Sequence, residues 1–498
     1  MYIGYDIKNG VKYAKLCKSV RINGKVTTQQ KSLGRVLDAE KGIYQNRERG
    51  VFTYDPETDT YGVPDSAAVP RVIHSKSEKL ILDFGDSWFL DRYIKSKGLD
   101  KVIDRINYGN NDSVRALLQY YVLCNAANSH AATWYEGSYA RILYPKANLE
   151  SQRISDMLTN LGDEWTYREF FKAYFSLLAK RKGGENILID STGLPNSIHF
   201  PLTAVSNHNG KISNEVRLIY VVQQRTNLPL YFRYVAGNVI DVSTLTKTIL
   251  ELKAFQIDTK FAVLDAGYLT EENMNELFEA KVSFLSRMKE NTILYKTVVN
   301  EHLPSLESEN NLISYNGRFA YIKRVKTECW GHTVYAYLGR DLAMQSLEAS
   351  KLYDRADAKK MSVADVHRTR LNHGLFVLIS SRPIATDQIL PKYYMRSQIE
   401  QVFDICKNNT NMLPLRVQTE ETFRGHLLIA FMASVIVRML QDDLSKTSYT
   451  PQSAFLTARN HKCKVFDDHV LTMESVKKTN EIYKLFKLKV PHTIKLPM

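Results

Sequence analysis

Residues 187–192 of the chain are Ile-Leu-Ile-Asp-Ser-Thr, and residues 262–267 are Ala-Val-Leu-Asp-Ala-Gly. In both stretches an apolar, strand-forming run ends in an aspartate that is followed by small residues. Binding and active sites collect where the strands of an α/β sheet end. A single aspartate at such a place is often only a cap for the next loop. Two of them together, Asp190 and Asp265, indicate a shared site.

The segments around the two aspartates predict a mixed α/β sheet. Three predicted strands are too closely spaced for helices between them, which favours antiparallel neighbours. These strands are 187–189, 216–222 and 230–235. Helix, strand, helix and strand then alternate up to residue 288. Residues 291–370 break this rhythm with a β-rich stretch and a charged helical stretch, and a last core helix is predicted to begin near Pro391.

Two further regions precede this core. Residues 11–33 alternate apolar with polar or basic residues around Asn23-Gly24, a dipeptide that suits a tight hairpin turn, and predict a small β domain. Between residues 77 and 182 the apolar period is helical, and Gly183-Gly184 ends the last helix. The chain therefore has several domains, as its 498 residues also lead us to expect.

The balance of charge favours a polyanionic partner. Lys and Arg number 67 against 53 Asp and Glu, which gives a net charge of +14. Half of that excess lies in residues 1–50, which hold eleven basic and four acidic side chains. Nucleic acid and an anionic membrane surface both remain open as partners on this ground. The lysines and tyrosines of this segment form either a nucleic-acid surface or a solvated strand face over a tyrosine core.

The cysteines and the apolar runs exclude secreted and membrane-spanning classes. The five cysteines are scattered, odd in number and without a C-x-x-C pair, which indicates a reducing interior rather than a disulfide framework or a zinc site. Residues 1–10 lack the pattern of a signal peptide. Leu427–Val437, the longest apolar run, is shorter than the roughly 17 to 25 residues that cross a bilayer. It predicts a buried helix.

A third acidic residue lies on a predicted helix around residues 393–407. The apolar face of this helix comprises Ile399, Val402, Phe403 and Cys406. At about 100° per residue, four polar groups fall on one stripe beside that face. They are Tyr393, Arg396, Glu400 and Lys407. The helix therefore presents a phenol, a guanidinium, a carboxylate and an amine together, or else it is a solvated face with an Arg396–Glu400 ion pair, which periodicity alone favours.

If Glu400 approaches Asp190 and Asp265, three carboxylates share one cleft. Their mutual repulsion must then be neutralised by protons or by cations. Ligands that are all oxygen select Mg²⁺ or Mn²⁺. Such a site suits phosphodiester chemistry with two ions, and Arg396 and Lys407 would bind flanking phosphates.

The spacing Tyr-x2-Arg-x3-Glu-x6-Lys resembles the signature of bacterial insertion-sequence DDE transposases, and all four positions match. Leu-Asp-Ala-Gly-Tyr at 264–268, Ser151 to Ser155 and Gly425-His426 are also similar to segments of this family. The resemblance implies an RNase H-like core with its first aspartate on the first strand, its second after the fourth strand and its glutamate on a late helix. The implied fold is α/β, with a mixed-sheet catalytic core, a β-rich insertion domain, a small β domain and a helical domain.

On this interpretation the chain divides into six segments. They are a small basic β-rich domain at 1–75, a helical DNA-binding domain at 76–182, the first part of the catalytic core at 183–290, the β-rich insertion at 291–370, the second part of the core at 371–445, and a tail at 446–498 for dimerisation or DNA contact.

The resemblance also implies an activity. Asp190, Asp265 and Glu400 would hold two Mg²⁺ ions, for which Mn²⁺ can substitute, and the enzyme would cleave element ends and join the freed 3′-OH to target DNA. The partners would be double-stranded DNA, as terminal inverted repeats and target, and a second copy of the chain, without a membrane or a small-molecule cofactor. The location would be the bacterial cytoplasm. The alternatives are an endonuclease without strand transfer and a catalytically idle DNA-binding protein.

Several residues inherit DNA contacts from the resemblance. Tyr393 and Arg396 would bind phosphate near a hairpin intermediate with a flipped base. Trp330, from the insertion, would stack on that base, although a buried strand aromatic is the other interpretation. Arg287 and Lys289, just beyond a core strand, would contact DNA near the cleft or stay as solvated charges.

Overall fold

The computed structural model describes residues 1–8, 11–22, 25–64, 80–106, 108–179, 186–196, 200–208, 211–239, 244–257, 259–359, 361–410, 412–415 and 417–496. The predicted Asn23-Gly24 turn, the Gly183-Gly184 helix end and the predicted boundaries at 75–76 and 182–183 lie outside these residues. The chain divides into two compact units, Met1–Lys79 and Leu80–Met498.

The first unit is an antiparallel meander, in which each strand pairs with the next along the chain. Its strands are β1 (Tyr2–Lys8), β2 (Val11–Ile22), β3 (Lys25–Asp38), β4 (Ile43–Asn46), β5 (Gly50–Asp55) and β6 (Thr60–Gly62). Its core is small and partly aromatic, and it consists of Ala14, Leu16, Leu33, Tyr44, Phe52 and Tyr54. The β structure predicted from the alternation of apolar and basic residues is confirmed.

The second unit begins with a strand and a set of helices. These elements are β7 (Leu80–Asp83), α1 (Gly85–Lys97), α2 (Leu99–Ile103), α3 (Asn111–Leu123), α4 (Ala131–Gly137), α5 (Ala140–Leu143), α6 (Ser151–Leu161) and α7 (Glu164–Ala179). The helical period predicted this region correctly, because the apolar positions it marks are buried in α3, α6 and α7.

The large mixed sheet follows. Its first elements are β8 (Asn186–Pro195), β9 (Ala204–His208), β10 (Lys211–Gln223), β11 (Pro229–Ala236), α8 (Leu245–Ala254), β12 (Phe261–Leu264), α9 (Glu271–Glu279) and β13 (Ser283–Arg287). Strands β11, β10 and β8 are antiparallel neighbours, as predicted, whereas β12 and β13 run parallel to β8. The order β11-β10-β8-β12-β13 is that of an RNase H-like sheet, so the predicted α/β fold class is confirmed.

The segment predicted as an insertion extends this same sheet. Its elements are α10 (Ile293–His302), β14 (Leu312–Tyr315), β15 (Arg318–Cys329), β16 (His332–Asp341), α11 (Leu342–Lys359) and α12 (Val363–Arg370), before β17 (Leu375–Ser380). Strand β17 pairs with β13 on one side and with β16 on the other, and both pairings are antiparallel. Strands β15 and β14 then continue the sheet outward.

The remaining elements form the helical cover and a second small sheet. They are α13 (Thr386–Tyr394), α14 (Ser397–Asp404), a π-helical turn (Ile405–Asn409), α15 (Glu420–Leu444), α16 (Pro451–Arg459), β18 (Lys462–Val465), β19 (His469–Thr472), α17 (Lys477–Leu485) and β20 (Thr493–Lys495). Strand β18 pairs with β7, so the end of the chain joins the start of the second unit in the order β20-β19-β18-β7.

Helix α15 is the centre of the core. It is long and apolar enough to cross a membrane by composition, but 89% of its apolar window is buried inside the protein. The prediction of a buried helix is therefore confirmed. Phe431 on this helix lies within 6.1 Å, between ring centres, of aromatic rings from α7, β10 and β11. Gly425 lets α15 cross α6 closely, because a Cβ there would overlap the Leu158 carbonyl oxygen.

Candidate active site

Asp190 and Asp265 lie side by side on neighbouring parallel strands. Leu264 of β12 is in register with Ile189 of β8, so the two aspartates follow at the same level. Asp190 is within β8, which continues along β10, whereas Asp265 is the first residue after β12. The backbone N–H of Ser191 donates to Asp190 Oδ1 at 2.9 Å, which fixes the direction of that carboxylate. The sheet itself therefore sets the spacing of both groups.

The guanidinium of Arg396 bridges the two carboxylates. Its Nη1 lies 3.1 Å from Asp190 Oδ2 and 2.9 Å from Asp265 Oδ1. Burial lowers the pKa of Arg396, but the two carboxylates outweigh this effect, so its pKa is raised overall. One positively charged nitrogen thus faces an oxygen from each strand, and it neutralises two acidic groups that would otherwise repel each other.

Glu400 lies one helical turn beyond Arg396 on α14, and its side chain is exposed. Its negative charge contributes to the raised pKa of the Arg396 guanidinium. Within the described part of the chain, however, no three His, Cys, Asp or Glu side chains are gathered closely enough to hold a metal ion. The convergence of all three carboxylates on one cleft therefore stays a prediction.

The helix that carries Glu400 is shorter than predicted. Pro391 lies inside α13 rather than at the first position of a helix, and α13 ends three residues later at Tyr394. Met395 and Arg396 then form a turn that separates α13 from α14. Beyond Asp404 the chain forms a π-helical turn, an irregularity that is frequent at functional sites. Glu400 thus lies on a helix of two turns, with a non-helical turn before it and a π-helical turn after it.

Lys407, in the π-helical turn, contacts β8 rather than solvent. Its Nζ donates to Thr192 Oγ1 at 2.6 Å and to the Gly193 carbonyl at 2.9 Å. Burial lowers the pKa of this amine. Both acceptors lie just beyond Asp190 on the same strand, so Lys407 fastens the end of the Glu400 helix to the strand that carries the first aspartate.

Comparison with known families decides the class of the protein. Residues 181–436 match the family of transposase DDE domains, which is just over half of the chain. The chain belongs to this transposase family. Among solved structures it is similar to a piggyBac transposase in a synaptic complex with hairpin DNA, at 12% identity and a TM-score of 0.40 over 71% of each chain. The comparison with curated proteins gives no match.

Transposases of this family generally use divalent metal ions. The fit of this transposase to such an ion can be judged from Arg396, whose Nη1 is a positive centre held by carboxylate oxygens of Asp190 and Asp265. Two oxygen ligands that converge on one cation from a rigid sheet match the donor set that Mg²⁺ and Mn²⁺ prefer. The two aspartates therefore fit a divalent ion.

Three more of the predicted contact residues lie at or near this edge of the sheet. Arg287 of β13 is level with Asp265, since Leu264 is in register with Ser286, and its side chain is exposed. Tyr393 is buried, and its ring centre lies 5.9 Å from Arg396 Cζ. Lys289 is exposed two residues beyond Arg287. Their contacts with DNA stay predictions.

Trp330 is not brought to the carboxylates. It lies in the turn between β15 and β16, where the transposase sheet places it at the opposite edge, because β16 runs parallel to β13. Tyr337 is the β16 residue level with Arg287, and Trp330 precedes it by seven residues, or roughly 20 Å of strand. The neighbouring His332 stacks on Phe278 of α9 at 4.1 Å, which holds this turn against α9. The predicted stacking of Trp330 on a base at the site thus has no support in its position.

Sequence reasoning missed an aromatic pair at the edge of the sheet where Asp190 and Asp265 lie, which we call the catalytic edge because it carries the proposed site. Tyr315, at the end of β14, stacks on Tyr394, with ring centres 5.6 Å apart and planes 12° from parallel. Tyr394 directly follows Tyr393, so the pair ties the β14–β15 turn to the end of α13. The sequence does signal this turn, because Asn316-Gly317 is a dipeptide that favours a tight hairpin, and both residues have positive φ angles here.

Proposed function

We propose that the protein is a DDE transposase that hydrolyses one strand at each end of its element and joins the freed 3′-OH to target DNA. One observation carries the proposal: Asp190 and Asp265 lie level on adjacent parallel strands, and one carboxylate oxygen of each faces a single cation. The family supplies the reaction class, and the net charge of +14 suits a DNA substrate.

Asp190, Asp265 and Glu400 would hold two divalent ions in this enzyme. Bound there, the ions would lower the pKa of the attacking water or 3′-hydroxyl and stabilise the leaving oxygen. The chain's own groups bind and orient the DNA. Arg396 and the exposed Arg287 lie beside the aspartates and offer planar donors to backbone phosphates.

The remaining residues would position these groups. Lys407 holds the π-helical turn against β8 and would thereby help to bring Glu400 towards Asp190. Tyr393 packs beside Arg396 and limits the directions that the guanidinium can take. Because one element has two ends, we expect two copies of the chain to act together in the complex that joins them. Such an enzyme would work in the bacterial cytoplasm, on nucleoid DNA.

The test uses DNA with short inverted repeats taken from the sequence that flanks the gene. The purified full-length protein is incubated with these ends, a target plasmid and Mg²⁺ or Mn²⁺. Nicked ends together with joined products are expected. Nicks without joined products would indicate an endonuclease that does not transfer strands, and bound but uncut ends would indicate an idle DNA-binding protein.

Glu400→Gln provides the critical variant, because Glu400 is exposed and outside the Asp–Arg–Asp cluster in the protein alone. We expect it to retain end binding and its thermal unfolding temperature but to lose nicking. Glu421→Gln is the matched control, since Glu421 is an equally exposed carboxylate in the first turn of α15, and it should nick normally. Wild-type nicking by Glu400→Gln would remove Glu400 from the site.

A further inference from the structure

Arg396 occupies the place that a metal ion would need. Its Nη1 lies 2.9 Å from Asp265 Oδ1 and 3.1 Å from Asp190 Oδ2. A magnesium ion takes ligand oxygens at about 2.0 to 2.1 Å. An ion between these two carboxylates and a guanidinium nitrogen at the same point are therefore mutually exclusive, both by contact distance and by like charge.

The position of Arg396 in the chain allows it to leave. It lies at the joint between α13 and α14, where Met395 and Arg396 form a turn rather than regular helix. Its side chain is 23% exposed, so part of it already meets solvent. The two aspartates, in contrast, are fixed by strands β8 and β12, which are hydrogen-bonded to each other. Of the three groups in this cluster, the arginine is the one that no strand holds in place.

We propose that Arg396 is an internal cation that holds Asp190 and Asp265 together until DNA binds. A backbone phosphate of the DNA then takes the guanidinium, which opens the space between the aspartates to divalent ions. The inference rests on the proposed function for the identity of the polyanion. This role of Arg396 makes metal binding and DNA binding cooperative. Either ligand draws the guanidinium away from the two aspartates, and the other ligand then binds without having to displace it. Such coupling is reciprocal.

A simple phosphate-binding arginine behaves differently. If Arg396 only contacted DNA, its removal would weaken DNA binding and leave the affinity for metal in the absence of DNA unchanged. If it competes for the aspartates, its removal leaves two adjacent carboxylates without their cation. The variant without Arg396 then binds metal more tightly when no DNA is present, which is a gain that loss of a DNA contact cannot produce.

The experiment measures Mn²⁺ binding to the full-length protein by titration calorimetry, with and without a short duplex, after subtraction of Mn²⁺ binding to the duplex alone. We expect Arg396→Ala to bind Mn²⁺ about tenfold more tightly than the wild type without DNA. The duplex should tighten Mn²⁺ binding to the wild type by a similar factor and leave Arg396→Ala unchanged. Lys392→Ala, which removes a cation one turn earlier, should match the wild type.

Thermal unfolding gives a second measurement. In EDTA, Arg396→Ala should unfold at a lower temperature than the wild type. Mn²⁺ should raise the unfolding temperature of Arg396→Ala by more than that of the wild type, since the stabilisation by a ligand grows with the logarithm of its affinity. Asp190→Asn should abolish both Mn²⁺ effects. Equal Mn²⁺ affinity of Arg396→Ala and wild type without DNA, or equal tightening of both by the duplex, would overturn the inference. Neither measurement requires cleavage, so failure to join strands would contradict the proposed function and leave this result standing.

Discussion

The two turns at the ends of β15 have nearly the same φ angles, and they lie at opposite edges of one sheet. In the first, Asn316 and Gly317 have φ angles of +48° and +73°, and in the second, Trp330 and Gly331 have +46° and +75°. The first turn reaches the catalytic edge through the stacking of Tyr315 on Tyr394. The second is held at the far edge, against α9.

This difference teaches that strand direction, more than residue type, decides which aromatic side chain lies at the same edge of the sheet as Asp190 and Asp265. A tryptophan in the insertion is the more conspicuous candidate for base stacking, yet it precedes β16, which runs parallel to β13, and so lies at the opposite edge of the sheet. Tyr315, which precedes the turn at the other end of β15, stacks on Tyr394, the residue after Tyr393. Substitutions at the two edges test whether they differ in function as they differ in position.

The largest effect is expected at the catalytic edge itself. Asp190→Asn and Asp265→Asn keep the size of each side chain and remove one ligand charge. We expect DNA nicking with Mg²⁺ to fall by at least about 10³-fold in either variant, because carboxylates that hold the metal act in the transition state. Nicking rates under single-turnover conditions measure this. A loss below tenfold in both variants would show that the chemistry lies elsewhere.

The next effect separates a structural cation from a DNA-binding one. Lys407→Ala removes two partly buried hydrogen bonds to β8, and we expect a free energy of unfolding that is lower by roughly 1 to 3 kcal/mol. Urea denaturation measures it. The salt dependence of DNA binding should be unchanged, since the amine already has protein acceptors. A flatter salt dependence with full stability would instead make Lys407 a phosphate contact.

Arg287→Ala is the counterpart, because Arg287 is an exposed cation level with Asp265. We expect full stability, weaker DNA binding and a slope of log affinity against log salt that is smaller by about one unit. Binding to a labelled duplex at several salt concentrations measures the slope. An unchanged slope would leave Arg287 as a solvated charge.

Smaller effects compare the two aromatic residues directly. Tyr394→Ala removes a stacked pair worth about 0.5 to 1.5 kcal/mol beyond area burial, so we expect nicking to slow by roughly three- to tenfold as α13 loses its contact with the β14–β15 turn. Trp330→Asn creates an Asn-Gly turn, whose residues suit positive φ, and should leave nicking within about twofold while the fold gains a little stability. The reverse ranking of the two variants would restore Trp330 to the site.

Much of the core was predictable from local sequence. The strand that ends before Asp265 was predicted, because a short apolar run that stops at an aspartate has few alternatives. The stripe of Arg396, Glu400 and Lys407 was predicted from a helical period, and two of its members do contact β8 or its aspartate. The periodicity of apolar residues is a property of neighbouring positions, so it predicts buried faces without knowledge of the whole fold.

What the sequence did not reveal depends on contacts between distant segments. The arginine between the two aspartates could not be inferred from its own helix, whose period equally allowed an ion pair with Glu400. The edge on which Trp330 lies follows from how β16 pairs with β17. The elements after residue 445 were not predicted either, because β18 is a strand through its pairing with β7, more than 370 residues earlier.

That last pairing has a consequence for the gene. The match to the transposase family ends at residue 436, and all three acidic residues of the proposed site precede it. Strands β18 to β20 nevertheless complete a sheet whose first strand is β7 at residues 80–83. A stop codon or frameshift after codon 445 would thus spare every residue of the chemistry and still expose the unpaired edge of β7. Copies of the element damaged in this way would be silenced by misfolding of their product.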